Sequence, residues 1–134
     1  MKTLNAMKIL IVEDEEFSCE FLKQLLSLKN YSYLEVRDGL SAINMVKNDS
    51  GIHLVLMDIL LPILNGIEAM QEIKKLRPEI PVIAQTAQAM KGDEEKFLHH
   101  GFDDYVSKPI KIDEILEKIS KHIANSVDLV HISN

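Results

Sequence analysis

Three carboxylates, a hydroxyl and an ammonium stand where short apolar runs of this chain come to an end. Glu13 and Asp14 follow Met7 to Val12, and Asp58 closes the run His53-Leu54-Val55-Leu56-Met57. Thr86 comes just after Pro81 to Ala84, and Lys108, followed by Pro109, comes just after Asp103 to Val106. If each run is a strand of one parallel sheet, all five side chains arrive at its carboxyl edge, where α/β sheets gather ligands. Carboxylates crowded into one pocket repel and raise one another's pKa unless a cation sits among them. An oxygen-only donor set suits Mg²⁺, which keeps several waters and shares its remaining positions with a phosphate. Lys108 adds a point positive charge and Thr86 a hydroxyl. The combination describes a phosphoryl site, with a carboxylate nucleophile, a divalent metal, and an ammonium and a hydroxyl around the phosphoryl oxygens. Taken singly, each residue has a plainer role. Glu13 and Asp14 could cap a helix, Asp58 could form a turn before Pro62, Thr86 could be an ordinary loop residue and Lys108 an ordinary surface lysine. Their joint placement carries the inference.

The elements that must position them alternate strand and helix. Strand one is expected over Met7 to Val12, and helix one over Glu15 to Leu28, with Phe17, Phe21, Leu25 and Leu28 on one face and acids in its first turn. Tyr31 to Val36 reads as strand two. Asp38 is an N-cap for helix two, with Ile43, Met45 and Val46 inward and Asp49-Ser50-Gly51 ending it. His53 to Met57, apolar without alternation, predicts a strand buried on both faces. Asn65 and Glu68 form a capping pair for helix three, which runs to about Leu76. Strand four is placed at Pro81 to Ala84, and helix four from about Ala89 to His100 before Gly101. Strand five covers Asp103 to Val106, and helix five covers Ile112 to Ala124 with a stripe of Ile112, Ile115, Leu116, Ile119 and Ile123. Five such βα units predict an α/β fold, a doubly wound five-stranded parallel sheet covered on both faces. Residues 7–125 make one domain, 1–6 an N-terminal extension and 126–134 a tail without clear period.

The 134 residues suffice for one core, and 46% hydrophobic with 27% charged residues is ordinary for a globular chain. A net charge of −6 disfavours direct contact with nucleic acid, and the lysines are scattered among acids. No apolar run reaches the roughly 20 residues of a membrane span, and the N-terminus lacks a secretory core. The single Cys19 forms no internal disulfide and fits a reducing, cytoplasmic compartment.

The motifs Ile11-Val12-Glu13-Asp14, Met57-Asp58 with Pro62 and Gly66, Gln85-Thr86-Ala87, and Asp104-Tyr105-Val106-Ser107-Lys108-Pro109 resemble those of response-regulator receiver domains of two-component phosphorelay signalling. The resemblance covers essentially residues 7 to 125 and implies a flavodoxin-like (βα)5 receiver fold. It implies that Asp58 takes a phosphoryl group from a phosphohistidine of a sensor histidine kinase or a histidine phosphotransfer protein. It further implies that Glu13, Asp14, Asp58 and the carbonyl of Leu60 hold Mg²⁺, that Thr86 and Lys108 bind the phosphoryl oxygens, and that Tyr105 is the switch aromatic. A cis peptide at Lys108-Pro109, partner docking on helix one near Glu16, Phe17 and Cys19, and a phosphorylation-dependent homodimer belong to the same pattern. Such a domain catalyses its own phosphorylation and dephosphorylation rather than acting as a separate enzyme. Phosphorylation would draw Thr86 inward, let Tyr105 turn, and alter the helix four, strand five and helix five face. The stretch Ala84 to Met90 is closer in texture to receivers of hybrid sensor kinases than to those fused to DNA-binding domains.

Asn65 departs from the Asp common in that family, while keeping its capping ability. Leu60 and Gln88 occupy positions that influence phosphoryl lifetime, and the apolar Leu60 predicts slow loss of the phosphoryl group. Rival classes fit less well. A haloacid-dehalogenase-like phosphatase wants an acid at position 60, and a flavodoxin-like cofactor site wants a Ser/Thr/Gly-rich loop where Glu13-Asp14-Glu15-Glu16 stands. A pseudo-receiver that binds partners without phosphorylation shares the fold and is the alternative, although such proteins usually lose part of the pocket.

Overall fold

The computed structural model describes the backbone of residues 7–87 and 93–133, and the side chains of 7–87 and 95–124. Strands β1 (Lys8–Val12), β2 (Ser32–Val36), β3 (Ile52–Asp58), β4 (Val82–Thr86) and β5 (Asp104–Ser107) alternate with helices α1 (Glu16–Leu28), α2 (Gly39–Asn48), α3 (Gly66–Leu76), α4 (Asp93–His100) and α5 (Ile112–Ser133). All neighbouring strands pair in parallel, in the order β2-β1-β3-β4-β5. The doubly wound five-stranded sheet expected from the alternation is the one observed. The order reverses between β1 and β3, so the crevice at their carboxyl ends opens between Glu13 and Asp58.

Side-chain alternation along the strands builds two cores. Leu10, Val12, Val55, Met57, Val82 and Ala84 pack with α2, α3 and α4. Ile9, Ile11, Leu54, Leu56, Ile83 and Val106 pack with α1 and α5 on the opposite face. This division explains why β1, β3 and β4 are apolar without a period, whereas the edge strand β2 is only half-buried.

Local signals act where the residues predict. Asp38 accepts the Ser41 amide at 2.8 Å and Asn65 accepts the Glu68 amide at 2.9 Å, each capping its helix. Gly101 takes φ 123° after α4, a conformation glycine adopts without cost. At the start of the β1–β3 ladder the register shifts past His53. The Lys8 amide there donates to His53 Nδ1 at 3.1 Å in place of a backbone carbonyl.

Three expectations are corrected. Helix α1 does not bury Phe17 and Leu28, which are 79% and 76% exposed; its inward side chains are Cys19, Leu22, Leu25 and Leu26. The helix carries more apolar residues than one stripe can bury, and Cys19 shares a buried cluster with Ile9 and Ile11. In α2, by contrast, Val46 is buried as expected and Ile43 and Met45 pack half-buried against the core, with Ala42 buried beside them. Helix α5 continues to Ser133 rather than ending near Ala124, and Ile112 in its first turn lies outside the buried stripe of Ile115, Ile119 and Ile123. The expected start of helix four at Ala89 lies outside the described residues, as do Gln88 and the extension 1–6.

Candidate functional site

The carboxyl edge between β1, β3 and β5 gathers buried charge. Glu13 is fully buried and Asp58 is 7% exposed, both on the face that packs against α1 and α5. Lys108 lies at the end of β5, its backbone tied to Thr86 by an amide-to-carbonyl bond of 2.7 Å. Its ammonium donates to Glu13 Oε1 at 3.0 Å and Oε2 at 3.3 Å, and stands 3.6 Å from Asp58 Oδ2. The Leu60 amide donates to Asp58 Oδ1 at 3.1 Å, which orients the carboxylate so that Oδ2 faces the ammonium. Glu13 Oε2 also accepts the Glu15 amide at 3.2 Å, tying strand one's acid to the helix that follows.

The electrostatics are those of a site short of positive charge. Burial, followed by the neighbouring Asp58, pushes the Glu13 carboxyl up to about 7 against the opposing pull of Lys108. Burial alone would lower Lys108, but Glu13 and Asp58 outweigh it and hold the ammonium above its ordinary value. Two buried carboxylates share one ammonium, and the excess negative charge is what a divalent cation neutralises.

The backbone around Asp58 is closely packed. The Gly66 amide donates to the Ile59 carbonyl at 3.0 Å, and an added Cβ at Gly66 would lie 2.3 Å from the Asp58 carbonyl oxygen. Only glycine permits the start of α3 to approach the end of β3 this closely. Between them Ile63 takes φ 70°, an uncommon conformation for a β-branched residue, with its side chain 77% exposed. Leu60 points its side chain outward, 59% exposed, while its amide serves Asp58.

The sequence-selected residues divide into two groups. Glu13, Asp58 and Lys108 are in mutual contact, and Thr86, buried at the end of β4, is linked to Lys108 through the backbone. Asp14 is exposed, and among the described residues no cluster of three metal-ligating side chains is preassembled. Tyr105 sits half-buried against the opposite sheet face, its ring 5.5 Å from that of Phe97 in α4. The Lys108-Pro109 peptide is cis. Gln85 is not among the site residues that the sequence singles out. It is fully buried beside Asp58 in the ladder, and its signal is a polar side chain inside an otherwise apolar strand.

Residues 9–120 match the response regulator receiver domain family. The chain belongs to that family. It is a receiver domain of two-component signalling, and its fold and motifs agree with a phosphoacceptor role. It is 39% identical over 129 residues to a hybrid signal transduction histidine kinase of Dictyostelium discoideum, covering 90% of this chain but 7% of that protein. It is 37% identical to the polar-differentiation response regulator DivK of Brucella anthropi, covering 88% of this chain and 97% of that one. Among solved structures, the receiver domain of a sensor histidine kinase from Pseudomonas aeruginosa is similar with a TM-score of 0.81 and 32% identity, covering 89% of this chain and 98% of that one. That receiver holds a magnesium ion in its active-site cleft. A CheY-like receiver from Methanospirillum hungatei gives a TM-score of 0.84 at 29% identity, covering 92% and 98% of the two chains. No helix among the described residues is long and apolar enough to cross a membrane.

Proposed function

We propose that Asp58 is the phosphoacceptor of this receiver. The observation that carries the assignment is its geometry: a buried carboxylate with one oxygen fixed by the Leu60 amide and the other turned toward an ammonium 3.6 Å away. Oδ2 attacks the phosphorus of a phosphohistidine, the P–N bond breaks as the P–O bond forms, and the imidazole leaves to be reprotonated from solvent. Lys108 gives up Glu13 and neutralises the phosphoryl oxygens, and the Thr86 hydroxyl takes another of them. In this proposal the domain acts on itself, catalysing both the gain and the loss of its phosphoryl group.

The donor set fits Mg²⁺. Two buried carboxylates with only one ammonium between them leave a negative excess, all potential donors are hard oxygens, and burial together with the neighbouring Asp58 keeps the Glu13 carboxyl raised despite Lys108. Glu13, Asp14, Asp58 and the Leu60 carbonyl are the residues assigned to hold it. The bound ion would supply charge neutralisation for the in-line transfer.

The phosphodonor is a sensor histidine kinase or a histidine phosphotransfer protein. Phe17 supports docking on α1, because a large exposed aromatic stands beside a cavity of about 480 Å³ lined by Phe21, Lys108, Pro109 and Ile110. Readout through Tyr105 is supported by its tilted ring contact with Phe97, which couples β5 to α4. The same α4–β5–α5 face is where a phosphorylation-dependent second copy would pair. A cytoplasmic location accords with the lone reduced Cys19.

The test is incubation with Mg²⁺ and acetyl phosphate or beryllofluoride, followed by mass spectrometry and NMR. The expected result is one phosphoryl group on Asp58 and none on Asp58→Ala. An unmodified wild type, or a modified Asp58→Ala, overturns the assignment and favours the unphosphorylated scaffold.

A further inference from the structure

Gln85 is fully buried in β4, and neither its side-chain nitrogen nor its side-chain oxygen has a hydrogen-bond partner among the described residues. Such groups are rare, because an amide stripped of water and left unpaired is destabilising, whereas an apolar residue of the same size is not. The rest of the strand's interior, Val82, Ile83 and Ala84, is apolar.

Its position is specific. Ile83 faces α1 and α5 together with Leu56 and Val106, so Gln85, two residues further on, faces the same way. It is in register with Asp58 on one side and with Val106 on the other. Lys108, two residues past Val106, crosses that same face, and diagonal neighbours on a sheet are within reach of long side chains. The Lys108 ammonium is held by Glu13 at 3.0 Å, on the far side of Asp58 from Gln85.

We propose that Gln85 is a positioning residue for Lys108: its carboxamide oxygen pairs with the ammonium when Lys108 leaves Glu13 for a phosphoryl group on Asp58. The proposal rests on Asp58 being the phosphoacceptor. Moving from Glu13 on β1 to the phosphoryl group on β3 carries the ammonium one strand closer to β4. An ammonium has three N–H donors, so it can serve phosphoryl oxygens and a carboxamide together. The unphosphorylated site carries the penalty of an unpaired amide, and the phosphorylated site is relieved of the oxygen's share of it. Gln85 thereby biases the domain toward its phosphorylated arrangement without touching the reacting atoms.

Gln85→Met keeps the length of the side chain and removes the carboxamide. Its melting temperature should equal or exceed that of wild type, while its affinity for beryllofluoride in the presence of Mg²⁺ falls about tenfold, or about 1.4 kcal/mol. In wild-type protein, the Gln85 side-chain amide resonances, assigned through bonds, should shift when beryllofluoride is added. This measurement stands even if the variant does not fold. A wild type that takes beryllofluoride while the Gln85 resonances stay still overturns the positioning role alone, as does a Gln85→Met that binds as tightly as wild type. A wild type that takes no beryllofluoride overturns this proposal together with the phosphoacceptor assignment.

Discussion

Replacing Gly66 with alanine tests whether the turn after β3 sets the position of Asp58. The new Cβ would stand 2.3 Å from the Asp58 carbonyl oxygen and 2.8 Å from the Ile59 Cα, and both obstacles are backbone. Ordinary contact begins near 3.4 Å, so the end of β3 and the start of α3 must part by roughly 1 Å, with a cost of about 1–3 kcal/mol for forced overpacking. At about 4 °C per kcal/mol for a chain of this size, the melting temperature should fall by roughly 4–12 °C. The bond from the Gly66 amide to the Ile59 carbonyl is strained by the same movement. Because the displaced atoms belong to Asp58 itself, the rate of labelling by acetyl phosphate should fall by about 10–100-fold even well below the melting temperature, as expected for a misplacement of this size. Thermal denaturation and time-resolved intact-mass spectrometry measure the two effects separately. A variant that melts within about 2 °C of wild type and labels at the same rate refutes the idea that this close approach positions the site.

Leu60→Asn places a polar group beside the acyl phosphate and should speed its hydrolysis several-fold, up to about tenfold; phosphoprotein decay that is unchanged or slower contradicts a shielding role for Leu60. Ile63→Asn relieves a left-handed β-branched residue whose side chain buries little, and urea titration should show a gain of about 1 kcal/mol; a loss of stability would mean that the Ile63 side chain matters more than its backbone. His53 is held below its ordinary pKa by burial and then by Arg77 and Lys8, so the unfolded chain takes up the proton first. Stability is therefore unaffected above the unfolded value near 6.5 and declines as pH falls below it. His53→Gln should show a shallower decline between about pH 6.5 and 5 in urea titrations, and an identical slope would remove His53 from the account. Phe17→Ala should leave the melting temperature within about 2 °C, since an exposed truncation costs about 0.5 kcal/mol or less, yet slow phosphotransfer from a histidine phosphodonor protein. Transfer at the wild-type rate would move docking away from this part of α1.

Much of the molecule was legible in the residues alone. Non-alternating apolar runs at Ile9 to Val12, Leu54 to Met57 and Val82 to Ala84, each short and alternating with helical patterns, fit strands covered on both faces of a parallel sheet. Asp38 and Asn65 signalled their helix starts because capping is a local interaction, satisfied within three residues. Glu13, Asp58, Thr86 and Lys108 could be grouped without coordinates because a parallel sheet sends every strand end to one edge.

Other features required the tertiary structure. Which stripe of α1 faces inward could not be read from spacing, since Phe17-Phe21-Leu25-Leu28 and Cys19-Leu22-Leu26 are both helical, and only packing against the sheet shows the second set buried. The pairing of Lys108 with Glu13 joins residues 95 apart, and sequence spacing does not say whether the ammonium lies on one carboxylate or between two. Gln85 stands in the sequence as part of a motif, and only its burial between two neighbouring strands shows an amide without a partner among the described residues. The sequence by itself determined which residues reach the carboxyl edge, because strand direction and alternation are local properties. The tertiary structure decided how charge is shared there, because distance across the sheet and the loss of water are properties of the packed whole.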